Sequence, residues 1–223
     1  MTSFDTNSYR KIAFYYIELG EKKLFKKSLS SLNIDKKIFI YYSKSSNIPI
    51  CALPRLKTIL SSRNSFLSFC YNFFTFVNNH NTIVAICPSS IQSIAKFVVS
   101  HEVGHILDKD IYKTKEEYAI ILSYIIDTLI EFDIDVNSEN FHKVNLPLEL
   151  ENRVLDLKKN LIDRESKAWD IAKSFLVFES PKEEFIFNKM REYALATYNF
   201  GNLKNIVKEH NIDMYFKRRK HLA

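Results

Sequence analysis

Residues 101–105 read His-Glu-Val-Gly-His. Two histidines four residues apart share one face of a helix, one turn above each other. His101 and His105 could therefore present two imidazole nitrogens to one cation. Glu102, one residue further on, would point beside that cation rather than at it. There its carboxylate could take a proton from a water and pass it to a leaving amine. A zinc ion lowers the pKa of a bound water to about 7, which makes a nucleophile at neutral pH. The chain has six histidines, and a chance HExxH match is expected only on the order of 0.01 times. The competing reading is two satisfied histidines on a half-buried helix. Gly104 is one of only three glycines. A mid-helix glycine costs about 1 kcal/mol relative to alanine, so some local reason, such as close approach of a strand, is expected there.

A catalytic zinc site needs three protein donors and one open position. No third histidine follows at HExxHxxGxxH spacing, because position 111 is Ile. The remaining candidates are carboxylates. Glu165 sits in a stripe of Leu161, Glu165, Ala168, Ala172 and Phe175, at spacings that place all five on one helix face. A charge in an apolar stripe calls for a cation nearby, and the small Ala168 and Ala172 would admit another helix. Glu165 could instead pair with Arg164 or a lysine at the core edge. Glu117 is the second candidate. It opens a helix beside the apolar residues Tyr118, Leu122, Ile125 and Leu129, where a first-turn glutamate also suits the helix dipole. Asp108, one turn beyond His105, could be a ligand, but a hydrogen bond to a ligating histidine suits it better.

These residues need elements to hold them. Residues 6–30 read as a helix with Ile12, Tyr15, Tyr16 and Leu19 on one side, and Lys36–Ser43 as a strand. "SNIPICALPRL" is turn-rich. "SFLSFCYNFFTFVNNHNTIVAICP" reads as a β-hairpin turning at Asn78–Asn81, with a second arm over Thr82–Cys87. Ser89 or Ser90 would cap the HExxH helix. Helices follow over Lys113–Phe132, from Leu148 to about Phe178, and from Lys182 to near Gly201, with Pro181 breaking the last two. The fold class is α+β and helix-rich, with a small sheet before the HExxH helix. One domain is expected over 1–223, with a helical N-terminal segment over about 1–35 and a helical extension over about 180–223.

The segment Asn81–Asp108, "NTIVAICPSSIQSIAKFVVSHEVGHILD", resembles the core of the ImmA/IrrE-type zinc metallopeptidases, where a strand precedes a helix ending in a similar H-E-x-G-H run. It covers on the order of an eighth of the chain. "HEVGHILD" is also similar to the active-site helix of lethal-factor-like zincins, and "E-x-x-A-W-x-x-A" from Glu165 resembles the third-ligand helix of such peptidases. The family more often has alanine directly after that glutamate, where this chain has Ser166. The resemblance implies a zincin-like core of gluzincin type, with two histidines from one helix, a glutamate from a later one and Zn2+ as cofactor. It also implies an endopeptidase acting on a protein, often a transcriptional regulator of a mobile element or stress response. The alternative is a catalytically silent zincin-like protein that binds a protein partner or nucleic acid. The intact Glu102 favours the enzyme.

Composition narrows the setting. Hydrophobic residues make up 46% of the chain, enough for a core. Cys51, Cys70 and Cys87 have no CxxC spacing and read as buried thiols in a reducing compartment. No signal peptide or membrane span is legible, so a cytoplasmic protein is expected. The net charge of +6 reads as a lysine-rich solvated surface, densest in the C-terminal "YFKRRKHLA", and sequence-specific nucleic-acid binding is not expected. "DIDVNSEN" lacks the glycine and the final glutamate of a calcium loop. His80, His142, His210 and His221 have no motif spacing, although His142 or a tyrosine could stabilise an oxyanion. Trp169 reads as core.

Overall fold

The computed structural model describes residues 6–79, 84–135, 138–139, 141, 144–199 and 203. Among them are seven α-helices and one three-stranded sheet, a helix-rich α+β chain. The sequence reads as one domain with helical additions. The chain divides into two compact units, one of residues 1–108 and 165–194, the other of 109–164 and 195–223.

The first unit opens with α1 (Thr6–Glu18) and α2 (Lys22–Ser30). The sequence reads as a single helix here, but Gly20 (φ 79) and Glu21 (φ 38) take left-handed backbone and break it. The break is fixed by a buried polar relay. Tyr16 donates to the Tyr42 hydroxyl (2.9 Å), Tyr42 donates to the Glu21 carboxylate (2.7 Å), and Arg63 Nε donates to the same carboxylate at 3.0 Å.

The sheet holds β1 (Phe39–Ser43), β2 (Cys51–Leu53) and β3 (Thr58–Ser62) in the order β1-β3-β2. β1 runs parallel to β3, and β2 antiparallel to it, with Ala52 opposite Ile59. Only β1 is expected from sequence. β2 is short, hidden in a segment rich in turn residues, and leads into a 3-10 turn at Pro54–Leu56.

The expected hairpin is absent among the described residues. Arg63–Asn79 forms one helix, α3, and Val84–Cys87 is not a strand. Residues 80–83 of the expected turn and second arm lie outside the described residues. Phenylalanine and valine favour strands on propensity, but the buried positions of α3 are Phe66, Leu67, Cys70, Phe73, Phe74 and Val77, a helical spacing. Its start carries a reciprocal cap. Ser62 N–H donates to Ser65 Oγ (3.0 Å), and Ser65 N–H donates to Ser62 Oγ (3.3 Å).

α4 (Pro88–Leu107) carries the HExxH run and is buried nearly all round, as a helix at the centre of a core must be. Its N-cap is Cys87 in extended backbone rather than Ser89 or Ser90, and Pro88 takes the first helical position, where the missing N–H costs nothing. Ile91, Ile94, Ala95, Val98 and Val99 enter a core shared with Phe66, Phe73 and Phe74 of α3. The later segment of α6 (Leu148–Phe175) and the first part of α7 (Pro181–Asn199) complete the unit through Trp169, Ala172, Ile186, Phe187 and Met190. Lys96 on α4 pairs with Glu183 of α7 at 2.9 Å.

The second unit contains α5 (Ile111–Glu131) and the first part of α6. Ile125, Ile126 and Leu129 pack with Leu150, Val154, Leu157 and Leu161. The cysteines are free, but only Cys70 is buried; Cys51 and Cys87 are partly exposed. No helix among the described residues is long and apolar enough to cross a membrane. The basic C-terminal run, and His80, His142, His210 and His221, lie outside the described residues.

Candidate metal centre

On α4, the four-residue spacing sets the two imidazoles edge to face, ring centroids 4.6 Å apart. Both Nε2 atoms face one carboxylate oxygen. Glu165 Oε2 lies 3.1 Å from His101 Nε2 and 3.4 Å from His105 Nε2. The donor atoms of the three residues lie within 4.8 Å of one another, the one group of metal-ligand type found among the described residues. The stripe on α6 explains how Glu165 arrives there. Leu161, Ala168 and Ala172 are buried on the same face, and Glu165 itself is only 9% exposed.

Glycine decides the closeness of the two helices. A Cβ on Gly104 would sit 2.9 Å from the carbonyl carbon and 3.2 Å from the Cα of Ala168, and would overlap its carbonyl oxygen. The local reason for Gly104 is therefore the close approach of helix α6, where the sequence suggests a strand. His101 precedes Gly104 by one turn and Glu165 precedes Ala168 by one turn, so the close backbone contact lies one helical turn from a candidate ligand on each helix. Lys167 adds a clasp, its Nζ 2.6 Å from Oδ1 of the buried Asp108. Asp108 thus serves the joint between α4 and α6 and is not in the donor group.

Electrostatics follow the geometry. Burial pushes the Glu165 carboxyl upward, but hydrogen bonds and charge from His101 and His105 outweigh it and hold the group well below the usual carboxylate range. Glu102 goes the other way. Burial raises it, against the pull of both imidazoles and of a hydrogen bond from the Ala52 backbone. Ala52 belongs to β2, an outer strand of the sheet, so the strand the sequence hides is the one that touches the glutamate of the motif. Nothing in "SNIPICALPRL" signals that contact.

Glu117, the other candidate, is exposed and lies 4.0 Å from the Lys113 ammonium. Arg164, a possible partner for Glu165, lies over the Tyr118 ring instead, 5.6 Å from its centroid. Trp169 is core, as expected, and its ring stacks on His101 at 4.4 Å and 23°.

Two imidazole nitrogens and one carboxylate oxygen, converging on one point with no fourth donor among the described residues, fit a divalent ion of the zinc type with one position left open. The fit rests on orientation: each Nε2 is turned to the same carboxylate oxygen inside an apolar packing, where a buried charge needs a cation. Family models, curated proteins and solved structures yielded no match to the chain.

Proposed function

We propose that the chain is a zinc-dependent endopeptidase in which His101, His105 and Glu165 hold the metal and Glu102 is the general base. The observation that supports it most is the meeting of Glu165 Oε2 with both histidine Nε2 atoms, at 3.1 and 3.4 Å, while Glu102 stays outside the donor group. Three donors and an open position are the arrangement of catalytic rather than structural zinc. Zinc bound there would supply Lewis acidity, lowering the pKa of a water and polarising a peptide carbonyl.

The remaining work belongs to side chains of this protein. Glu102 accepts a proton from the attacking water and delivers it to the leaving amine nitrogen. It is buried, and a hydrogen bond from the Ala52 N–H holds its carboxylate. The substrate is a protein, and a transcriptional regulator is the class the family resemblance suggests.

The test is cleavage by the wild type and by Glu102→Gln, with candidate regulators co-expressed and then incubated with purified enzyme. Cleavage that a chelator stops and zinc restores is expected for the wild type, with a loss of at least 100-fold in the variant. Equal cleavage by both would remove Glu102 from the mechanism.

A further inference from the structure

Histidines that hold metals ordinarily give their second ring N–H to a carboxylate, a carbonyl or a water, which fixes the ring's direction. His101 departs from this. Its Nε2 faces Glu165, but its Nδ1 is buried and meets no hydrogen-bond partner among the described residues. What lies against the imidazole is the indole of Trp169, nearly parallel at 23° and 4.4 Å between centroids.

The indole is itself held. Trp169 is 2% exposed. Phe187 packs edge-on against it at 5.3 Å, and Phe97 and Phe178 pack against Phe187 at 5.3 and 5.4 Å. The Trp169 Nε1 has no hydrogen-bond partner among the described residues, so the His101–Trp169 contact is one of ring faces alone. Trp169 stands four residues after Glu165 on α6, hence on the same helix face. One helix thereby carries a carboxylate to the Nε2 end of His101 and an aromatic plate to its flat side.

We propose that Trp169 is the positioning residue of the metal centre, its indole face fixing the His101 ring where a hydrogen-bond acceptor ordinarily would. The proposal rests on the reading of His101, His105 and Glu165 as a zinc site. The face contact restricts rotation of the ring and keeps Nε2 aimed at the point where the donors converge. A metal on Nε2 draws electron density out of the imidazole, and an electron-poor ring is held more strongly by an electron-rich indole. The stack therefore favours the loaded site over the empty one.

Trp169 is the only tryptophan of the chain, so tryptophan emission comes from this place in the fold alone. The experiment is zinc titration of the metal-stripped wild type, Trp169→Phe and Trp169→Leu against a chelator of known affinity. Wild-type emission is followed in the same titration, and thermal melts of all three proteins are recorded. Trp169→Leu is expected to bind zinc on the order of 10–100-fold more weakly, the range for loss of a ligand's orienting partner. Trp169→Phe, which keeps a flat face, should stay within about threefold of wild type on the same scale. Wild-type emission should change and saturate at one zinc per chain. That emission change needs no variant and carries the test if Trp169→Leu does not fold. Stoichiometric zinc in the wild type with unchanged emission, or with undiminished affinity in a folded Trp169→Leu, overturns the positioning role and leaves the zinc site standing. Failure of the wild type to bind zinc overturns both.

Discussion

Gly104 of α4 lies so close to Ala168 of α6 that a single added Cβ would overlap the Ala168 carbonyl oxygen. The contact lies one helical turn from His101 on α4 and from Glu165 on α6, and it gives the first expected outcome. At an ordinary helix position, Gly→Ala is stabilising by about 1 kcal/mol. At Gly104 the obstacle is backbone, which cannot rotate away, and overpacking of this kind costs about 1–3 kcal/mol or more. Gly104→Ala should therefore lower the melting temperature and weaken zinc binding together. A more stable variant with wild-type zinc affinity would remove the contact from the explanation.

Glu165 and Glu117 can be told apart by the same chelator competition. Glu165→Ala removes one of three donors and should weaken zinc binding by at least 100-fold, beyond the 10–100-fold typical of a mere orienting group. Glu117→Ala removes an exposed carboxylate 4.0 Å from Lys113, a pair worth about 0.3–0.5 kcal/mol, and should leave zinc affinity unchanged. The reverse result would assign the third donor to Glu117.

Acid stability should depend on Glu21. Burial pushes its carboxyl up, but hydrogen bonds from Arg63 and Tyr42 prevail and hold it below the ordinary value of 4.5. A carboxyl lowered by folding contributes stability that is fully present above its unfolded pKa and is lost as pH falls through the folded one. The wild type should thus lose stability as pH drops below about 4.5. Glu21→Gln should be less stable near neutrality, by about 1–3 kcal/mol for the broken buried hydrogen bonds, and should show a flatter acid limb. Denaturant melts from pH 3 to 7 measure both. An unchanged acid limb would show that the relay of Tyr16, Tyr42, Glu21 and Arg63 carries no such linkage.

The centre was more legible in the sequence than the scaffold around it. HExxH has a fixed local geometry, and the Glu165 stripe repeats over several turns, so both survive folding as they read. The segment over 63–79 reads as strand because its five phenylalanines and Val77 suit strands, while its helical signals are subtler: the Phe66, Leu67, Cys70, Phe73, Phe74 and Val77 spacing and the Ser62–Ser65 cap. The break at Gly20 and Glu21 was hidden because amphipathic residues run on both sides of it. β2 leaves no signal in the sequence because three residues carry no period, and its N–H contact with Glu102 is a tertiary fact with no local trace. Trp169 was readable as core, but its stack on His101 depends on how closely α4 and α6 approach.

The most direct test is zinc per chain, measured by elemental analysis on the purified wild type, His101→Ala, His105→Ala and Glu102→Gln. Removal of a histidine takes away a ligand, whereas Glu102→Gln changes only the proton acceptor beside it. About one zinc in the wild type and in Glu102→Gln, with a sharp drop in both histidine variants, is the result expected of this site. Undiminished zinc in both histidine variants, or none in the wild type after zinc loading, would contradict it.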